Sequence, residues 1–194
     1  MVLIIGITGA SGVIYGIRLL EVLSTMKDIE THLIMSKAGE KNIEYETDWK
    51  IEDIKALADF SYDIDDIWAR PSSGSFRRDG MIIAPCTMKT MSALASSYNE
   101  NLIVRAGDVT LKEREKLALL VRETPLHLGH IRNMERLTEM GAIIMPPVPA
   151  FYHRPKTIQD IIDQTIGKLL DLFKIEHNLF QRWSGLSSEE KTGE

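Results

Sequence analysis

Short apolar runs punctuate the chain at Val2 to Ile7, Thr31 to Met35, Met81 to Ala84, Leu117 to Val121 and Ala142 to Met145, each followed by a polar or glycine-bearing turn. Runs this continuous, without polar alternation, are those of strands buried on both faces. Between them the apolar period changes. Val13, Ile17, Leu20 and Leu23 share one helical face after Gly12, and Ile158, Ile161, Ile162, Thr165 and Leu169 do the same between Thr157 and Phe173. This βαβα alternation predicts an α/β fold, a three-layer doubly wound parallel sheet of Rossmann or flavodoxin-like type with helices on both faces. Such sheets bind ligands beyond the carboxyl ends of their strands, where strand order reverses. The turns after the runs are therefore where chemistry is expected.

Composition narrows the field. No repeat, low-complexity tract or abrupt shift divides the 194 residues, so one domain is expected over 1–183, with 184–194, SGLSSEEKTGE, as a flexible tail. A formal charge of -5 with dispersed basic residues argues against a nucleic-acid partner. No apolar stretch approaches the roughly 20 residues of a membrane span, and Met1 to Ile5 is too short for a signal-peptide core, so a cytoplasmic protein away from membranes is expected. The single cysteine, Cys86, excludes an intrachain disulfide framework, and no Cys or His stands at zinc-ligand spacing, so no metal is expected.

The first turn, GITGASGVIYG from residue 6, is rich in glycine, but Gly6, Gly9 and Gly12 lie three apart. A dinucleotide fingerprint needs glycine at its first, third and sixth positions, and here the last two are Thr8 and Ser11. Thr8 to Gly12 still offer N–H groups and the Ser11 hydroxyl at a helix start, suited to an anion or an electron-rich ring. After the second run comes Ser36, where an NAD enzyme would place a carboxylate. In APCTMKT, residues 84–90, Pro85 is expected to end the strand and Thr87, Met88, Lys89 and Thr90 to open a helix with the donors of a monophosphate site. Thr87 serving simply as a helix cap is the plainer reading. Two anion-ready turns on one rim suit a mononucleotide, one turn for its phosphate and the other for its ring.

RAGDVTLKERE, residues 105–115, brings Arg105, Lys112 and Arg114 into range of Arg122 and Glu123, which are expected to end a buried strand and to converge at the rim; Arg114 and Glu115 also read as solvated helix charges. MPPVPAFYHRP, residues 145–155, surrounds Phe151 and Tyr152 with four prolines and reads as a rigid loop holding an aromatic pair over an apolar ligand, or as a lid over the core.

In this order GITGASGVIYG, HLIMSKA, ETD, SSGSF, APCTMKT, RAGDVTLKERE, VRETPLHLGH and MPPVPAFYHRP resemble the flavin prenyltransferases, the UbiX-like family formerly labelled aromatic-acid decarboxylases, from the first strand to about Trp183. The resemblance implies transfer of a dimethylallyl group from dimethylallyl phosphate to N5 and C6 of reduced FMN, release of phosphate, and delivery of prenylated FMN to a UbiD-like decarboxylase. It implies FMN contacts at Gly9, Ala10, Ser11, Ser36, Thr87 through Thr90 and Arg122, and donor contacts at Arg105, Lys112, Arg122, Tyr152 and Lys168. Proton handling falls to Ser11, Glu46 and Glu123. The sites would form between subunits of a homo-oligomer, a dodecamer.

Without a metal, Arg105, Lys112 and Lys168 would balance the charge on the departing phosphate, with the Tyr152 hydroxyl donating to it. The acidic DIDD cluster, residues 63–66, reads as an ordinary solvated loop. Thr87 and Gly107 replace the family's usual serine and alanine, and Lys168 a position that can be arginine. Trp68 is left without a role and Cys86 reads as a small apolar packer. Two alternatives stay open, an FMN-dependent cysteine decarboxylase of the related flavoprotein family and a non-catalytic FMN-binding subunit.

Overall fold

The computed structural model describes residues 1–183 and 185; apart from Gly185, the expected tail lies outside the described residues. The chain forms two compact units, Met1–Pro147 and Val148 onward.

In the first unit, β1 (Val2–Ile7), α1 (Ile14–Ser24), β2 (Glu30–Met35), α2 (Lys37–Glu46), α3 (Ile51–Ala56) and β3 (Phe60–Tyr62) make one half. A short 3-10 turn at Arg70–Ser72 leads to β4 (Gly80–Cys86), α4 (Met88–Ala95), α5 (Leu102–Lys112), β5 (Lys116–Val121), α6 (Leu128–Glu139) and β6 (Ile143–Ile144). The strands run parallel in the order β3-β2-β1-β4-β5-β6. This is the doubly wound sheet that the alternation predicts, with its order reversing beside β1.

Alternate residues of each strand feed opposite layers. Ile4, Met81, Ile83, Leu117 and Leu119 join Leu94 of α4, Ile103 and Leu111 of α5 and Leu137 of α6 in one core. Ile7 and Ala84 point the other way and meet α1, whose Gly16 lies close against both. β1 after its first residue and the whole of β4 are thereby buried between two apolar layers.

Beyond shifts of a residue at several strand ends, three differences from the sequence reading matter. β4 does not stop at Pro85 but runs to Cys86, with its register on β5 shifting between Ile83 and Cys86. A proline has no N–H for the ladder, and an irregular register is where a strand tolerates one. β5 ends at Val121, its last partner being Cys86, so Arg122 and Glu123 lie outside the strand and are exposed. The three-residue edge strand β3 has no apolar run and escaped the pattern.

In the second unit, α7 (Ile158–Leu172) starts on a capping box, Thr157 accepting from Asp160 N and Asp160 accepting from Thr157 N. Ile162, Ile166, Leu169 and Leu170 are buried, and Lys168 between them is exposed. Among the described residues, no helix is long and apolar enough to cross a membrane.

Candidate active site

The loops after β1 and β4 are joined by one side chain. Thr8 is buried, 1% exposed, because it directly follows β1 inside the sheet layer. Its hydroxyl donates to the Pro85 carbonyl (2.7 Å) and accepts from Thr87 N (2.9 Å). Thr87 is in turn the N-cap of α4, its side chain accepting from Thr90 N. Across β1, Ser36 caps α2 by accepting from Gly39 N, and Asn101 caps α5 by accepting from Val104 N.

Three helix N-terminal turns therefore face one cavity of about 480 Å³, whose wall includes Gly9, Ser36, Thr87, Lys89, Thr90 and Asn101. Gly9 is required by a close approach: a Cβ there would collide with the Ala38 Cβ and lie 3.0 Å from its carbonyl carbon. Free N–H groups and the positive ends of helix dipoles make such a place an anion site. The donor set fits a phosphate monoester, and the volume lies within the range of small-ligand pockets.

Charge is paired along the margin. Lys37 meets Asp65 at 2.7 Å, and this hydrogen bond raises the ammonium pKa. Lys89 meets Glu100 at 3.2 Å. The DIDD cluster is thus not merely solvated: Asp65 forms part of the cavity wall, while the Asp63 and Asp66 carboxylates accept from the backbone N–H groups of Asp65 and Trp68. Trp68 itself is 91% exposed.

At the start of α1, Glu46 accepts from Gly12 N (2.8 Å) and Val13 N (3.4 Å), supplying the acidic cap that Val13 cannot. This sets the Glu46 carboxylate beside exposed Ser11, one residue earlier. Ala10 N donates to the Thr8 carbonyl, so it shapes the turn. Cys86 is buried beneath the loop and its thiol is pushed up to about 12 by desolvation, leaving it inert as a nucleophile.

Within the first unit the cationic residues do not converge. Arg122 and Glu123 follow the carboxyl end of β5, with Glu123 accepting from Thr124 N. Lys112 ends α5, four residues before β5 begins, and is paired with Glu113. A six-residue strand separates the two rims by on the order of 20 Å. Arg105, between the rims on α5, donates to the Ser72 carbonyl and pairs with Asp108 at 3.5 Å. Arg114 is exposed at the far rim. Helix α5 crosses the sheet antiparallel to its strands, and sequence proximity to Arg122 concealed that reversal.

In the second unit, Tyr152 is half-exposed and packs edge-on to Trp183 (6.2 Å) and His153 (5.4 Å) beside a cavity of about 240 Å³. Phe151 is exposed. Lys168 projects from α7.

Sequence reasoning overlooked Thr8 as a link and Lys37, Asp65 and Asn101 as wall residues. Asn101 carried a legible signal, an asparagine just before an amphipathic run. Thr8 carried none, since a β-branched residue after a strand looks like more strand.

The Flavoprotein family profile matches residues 1–183. The flavin prenyltransferase UbiX of Thauera aromatica is 55% identical over 190 residues, 98% of this chain and 97% of its own. The mitochondrial flavin prenyltransferase PAD1 of Saccharomyces cerevisiae is 49% identical over 187 residues, 96% of this chain and 77% of its own. Among solved structures, AnUbiX (PadA1) in complex with FMN and dimethylallyl pyrophosphate superposes with a TM-score of 0.94 at 48% identity, covering 96% of this chain and 98% of that one. The dodecameric FMN-dependent UbiX-like decarboxylase of Escherichia coli O157:H7 gives 0.93 at 48% identity, over 96% and 100%. The peptidyl-cysteine decarboxylase EpiD, 17% identical with a TM-score of 0.63, shares the fold. With near full-length identity of about half to UbiX enzymes, the chain belongs to the Flavoprotein family and, within it, to the UbiX-like flavin prenyltransferases.

Proposed function

We propose that this protein transfers a dimethylallyl group from dimethylallyl phosphate to N5 and C6 of reduced FMN, without a metal, and releases phosphate. The observation that carries this reading is the convergence of the capped N-terminal turns of α2, α4 and α5 on one rim cavity. Full-length similarity to a structure holding FMN and dimethylallyl pyrophosphate supports it. Among the described residues, no three His, Cys, Asp or Glu side chains gather as a metal cage.

In this reading Ser36, Thr87, Met88, Lys89 and Thr90 hold FMN at its phosphate end, Arg122 adds charge, and Gly9, Ala10 and Ser11 line its ring. Reduced FMN supplies two nucleophilic ring positions. Arg105, Lys112 and Lys168 stabilise the charge that grows on the ester oxygen as its bond to carbon breaks, and the Tyr152 hydroxyl donates a hydrogen bond there. Ser11, Glu46 and Glu123 manage the protons at N5 and C6. Phe151 and Tyr152 shelter the allylic cation from water.

Lys112 and Arg122 lie at opposite rims, so the site needs residues from neighbouring copies. The reading therefore includes a homo-oligomer, a dodecamer as in the Escherichia coli relative. It also includes a cytoplasmic setting and a UbiD-like decarboxylase as recipient of the product.

The test is anaerobic incubation of the purified protein with reduced FMN and dimethylallyl phosphate, without magnesium, followed by mass spectrometry. A flavin heavier by one five-carbon unit is expected. Unmodified flavin beside a competent control enzyme rejects the proposal.

A further inference from the structure

The loop between β3 and β4, SSGSFRRDG, contains a buried charge that the proposed chemistry does not use. Arg78 is 6% exposed, although it lies at the sheet's amino-terminal rim where solvent is near. Its acceptors are main-chain carbonyls. Nη1 donates to Pro71 (3.0 Å), Nε to Phe76 (3.2 Å), and Nη2 to Phe76 (3.1 Å) and to Ser73. The guanidinium also lies over the Phe76 ring, 5.4 Å from its centroid. Burial lowers its pKa, while the neighbouring Glu113 and Glu115 favour the charge and Arg105 opposes it.

A planar fork with five donors can reach three separated carbonyls at once; an ammonium, as a point donor, cannot. Hydrogen bonds from a charged donor are stronger than neutral ones, and stronger still away from water. Arg78 thus draws the carbonyls of residues 71, 73 and 76 inward and sets the path of the loop.

The loop's other groups meet α5. The Ser72 carbonyl, between two of the carbonyls held by Arg78, accepts from Arg105 Nε at 3.1 Å. At Gly74 an added Cβ would lie 2.7 Å from Lys112 Nζ and 2.6 Å from Glu113 Oε1, so Lys112 and Glu113 lie directly over a position without a side chain. Arg105 and Lys112 therefore both rest on a surface that Arg78 shapes from within.

We propose that Arg78 is a positioning residue for the prenyl-donor site, holding the 71–76 loop as the platform that aims Arg105 and Lys112. The proposal rests on the reading above, in which those two residues bind the donor phosphate. The Pro71, Ser73 and Phe76 carbonyls occupy the Arg78 guanidinium, so it acts through the loop.

The experiment uses the full-length holoenzyme with Arg78→Ala and Arg78→Lys. The KM for dimethylallyl phosphate is expected to rise about tenfold in both, the scale of a lost set of charge-assisted hydrogen bonds, while the FMN dissociation constant stays within about twofold. Millimolar guanidinium is expected to restore the KM of Arg78→Ala and not that of Arg78→Lys. A wild-type KM in Arg78→Lys, or FMN affinity falling in parallel with donor affinity, overturns the proposal. If Arg78→Ala fails to fold, the Arg78→Lys KM decides alone. Amide hydrogen exchange of residues 72–76 tests the loop separately: it is expected to quicken in Arg78→Lys, and unchanged exchange refutes the platform. A wild-type enzyme that makes no prenylated flavin would sink the proposed reaction, and the exchange result would still judge the loop.

Discussion

Replacing Thr8 with valine keeps the shape of the side chain and removes only the hydroxyl that joins the two rim loops. Two bonds are lost, the donation to the Pro85 carbonyl at 2.7 Å and the acceptance from Thr87 N at 2.9 Å. They are not equivalent. The Pro85 carbonyl keeps Thr8 N as a donor at 3.2 Å, so its loss is that of one ordinary bond, about 1 kcal/mol. Thr87 N is partly buried and is left without its acceptor, which costs about 1–3 kcal/mol, the upper figure holding only if water cannot reach it. The sum is about 2–4 kcal/mol, most of it local to the turn that opens α4. Thr8→Ser keeps both bonds and loses one methyl, about 1 kcal/mol. Urea denaturation at fixed protein concentration, needed because an oligomer's apparent stability depends on concentration, should rank wild type, Thr8→Ser and Thr8→Val in that order. FMN titration by flavin fluorescence should show Thr8→Val weaker by at least about tenfold, since 1.4 kcal/mol is one decade in affinity. If Thr8→Val stays within about 0.5 kcal/mol of wild type with unchanged FMN affinity, the hydroxyl does not link the loops and the account of the cavity's rigidity fails.

Three further outcomes follow from the same geometry. Gly9→Ala should push the first rim turn off α2, because its Cβ meets Ala38, and lower FMN affinity at least about tenfold, read by the same titration. Cys86 should resist a thiol reagent at pH 8 until urea exposes it; its thiol is pushed from 9.0 to about 12, so its contribution to stability is complete below pH 9 and is lost as pH rises from 9 to about 12, a slope that Cys86→Ala should flatten. Lys112→Ala and Arg122→Ala should each abolish prenylation alone yet regain measurable turnover when co-expressed in one oligomer, where some sites draw both residues from intact copies; a mixture as inactive as its parents counts against a shared site.

The sheet was legible because the physics that forms it is written as apolar runs. Strands β1, β2, β4, β5 and β6 all announce themselves this way, and Val2–Ile7 does so at both ends. β3 does not, because Phe60-Ser61-Tyr62 is too short for its alternation to stand out from a loop. Thr87 was legible as a helix opening, since a hydroxyl residue before a helical period has a local meaning; Ser36, which caps α2 in the same way, was read on local grounds only as a missing carboxylate. The placement of Arg105 and Lys112 was not local. Their distance from Arg122 depends on α5 running against the strands, which no spacing of charges reveals. Arg78 was invisible for a related reason: an arginine in a polar loop reads as solvated, and its burial comes from the path of the loop around it.

The end of β2 bears on why this rim suits one nucleotide unit and not two. In dinucleotide-binding sheets a carboxylate at that position accepts the ribose hydroxyls of the second nucleotide. Here the place is held by Ser36, whose oxygen is already engaged with Gly39 N, followed by Lys37 leaning across to Asp65 at 2.7 Å. An adenylate extending past the cavity would have to part this ion pair and set its ribose against an ammonium. A single phosphate would meet no such obstacle at the N-terminal turns of α4 and α2, where Ser36, Thr87 and Thr90 line the cavity. The departure of GITGASG from the dinucleotide fingerprint has the same meaning. Gly9 is required by the close approach of Ala38 at α2, while Ser11 stands where a dinucleotide-binding loop would keep its third glycine.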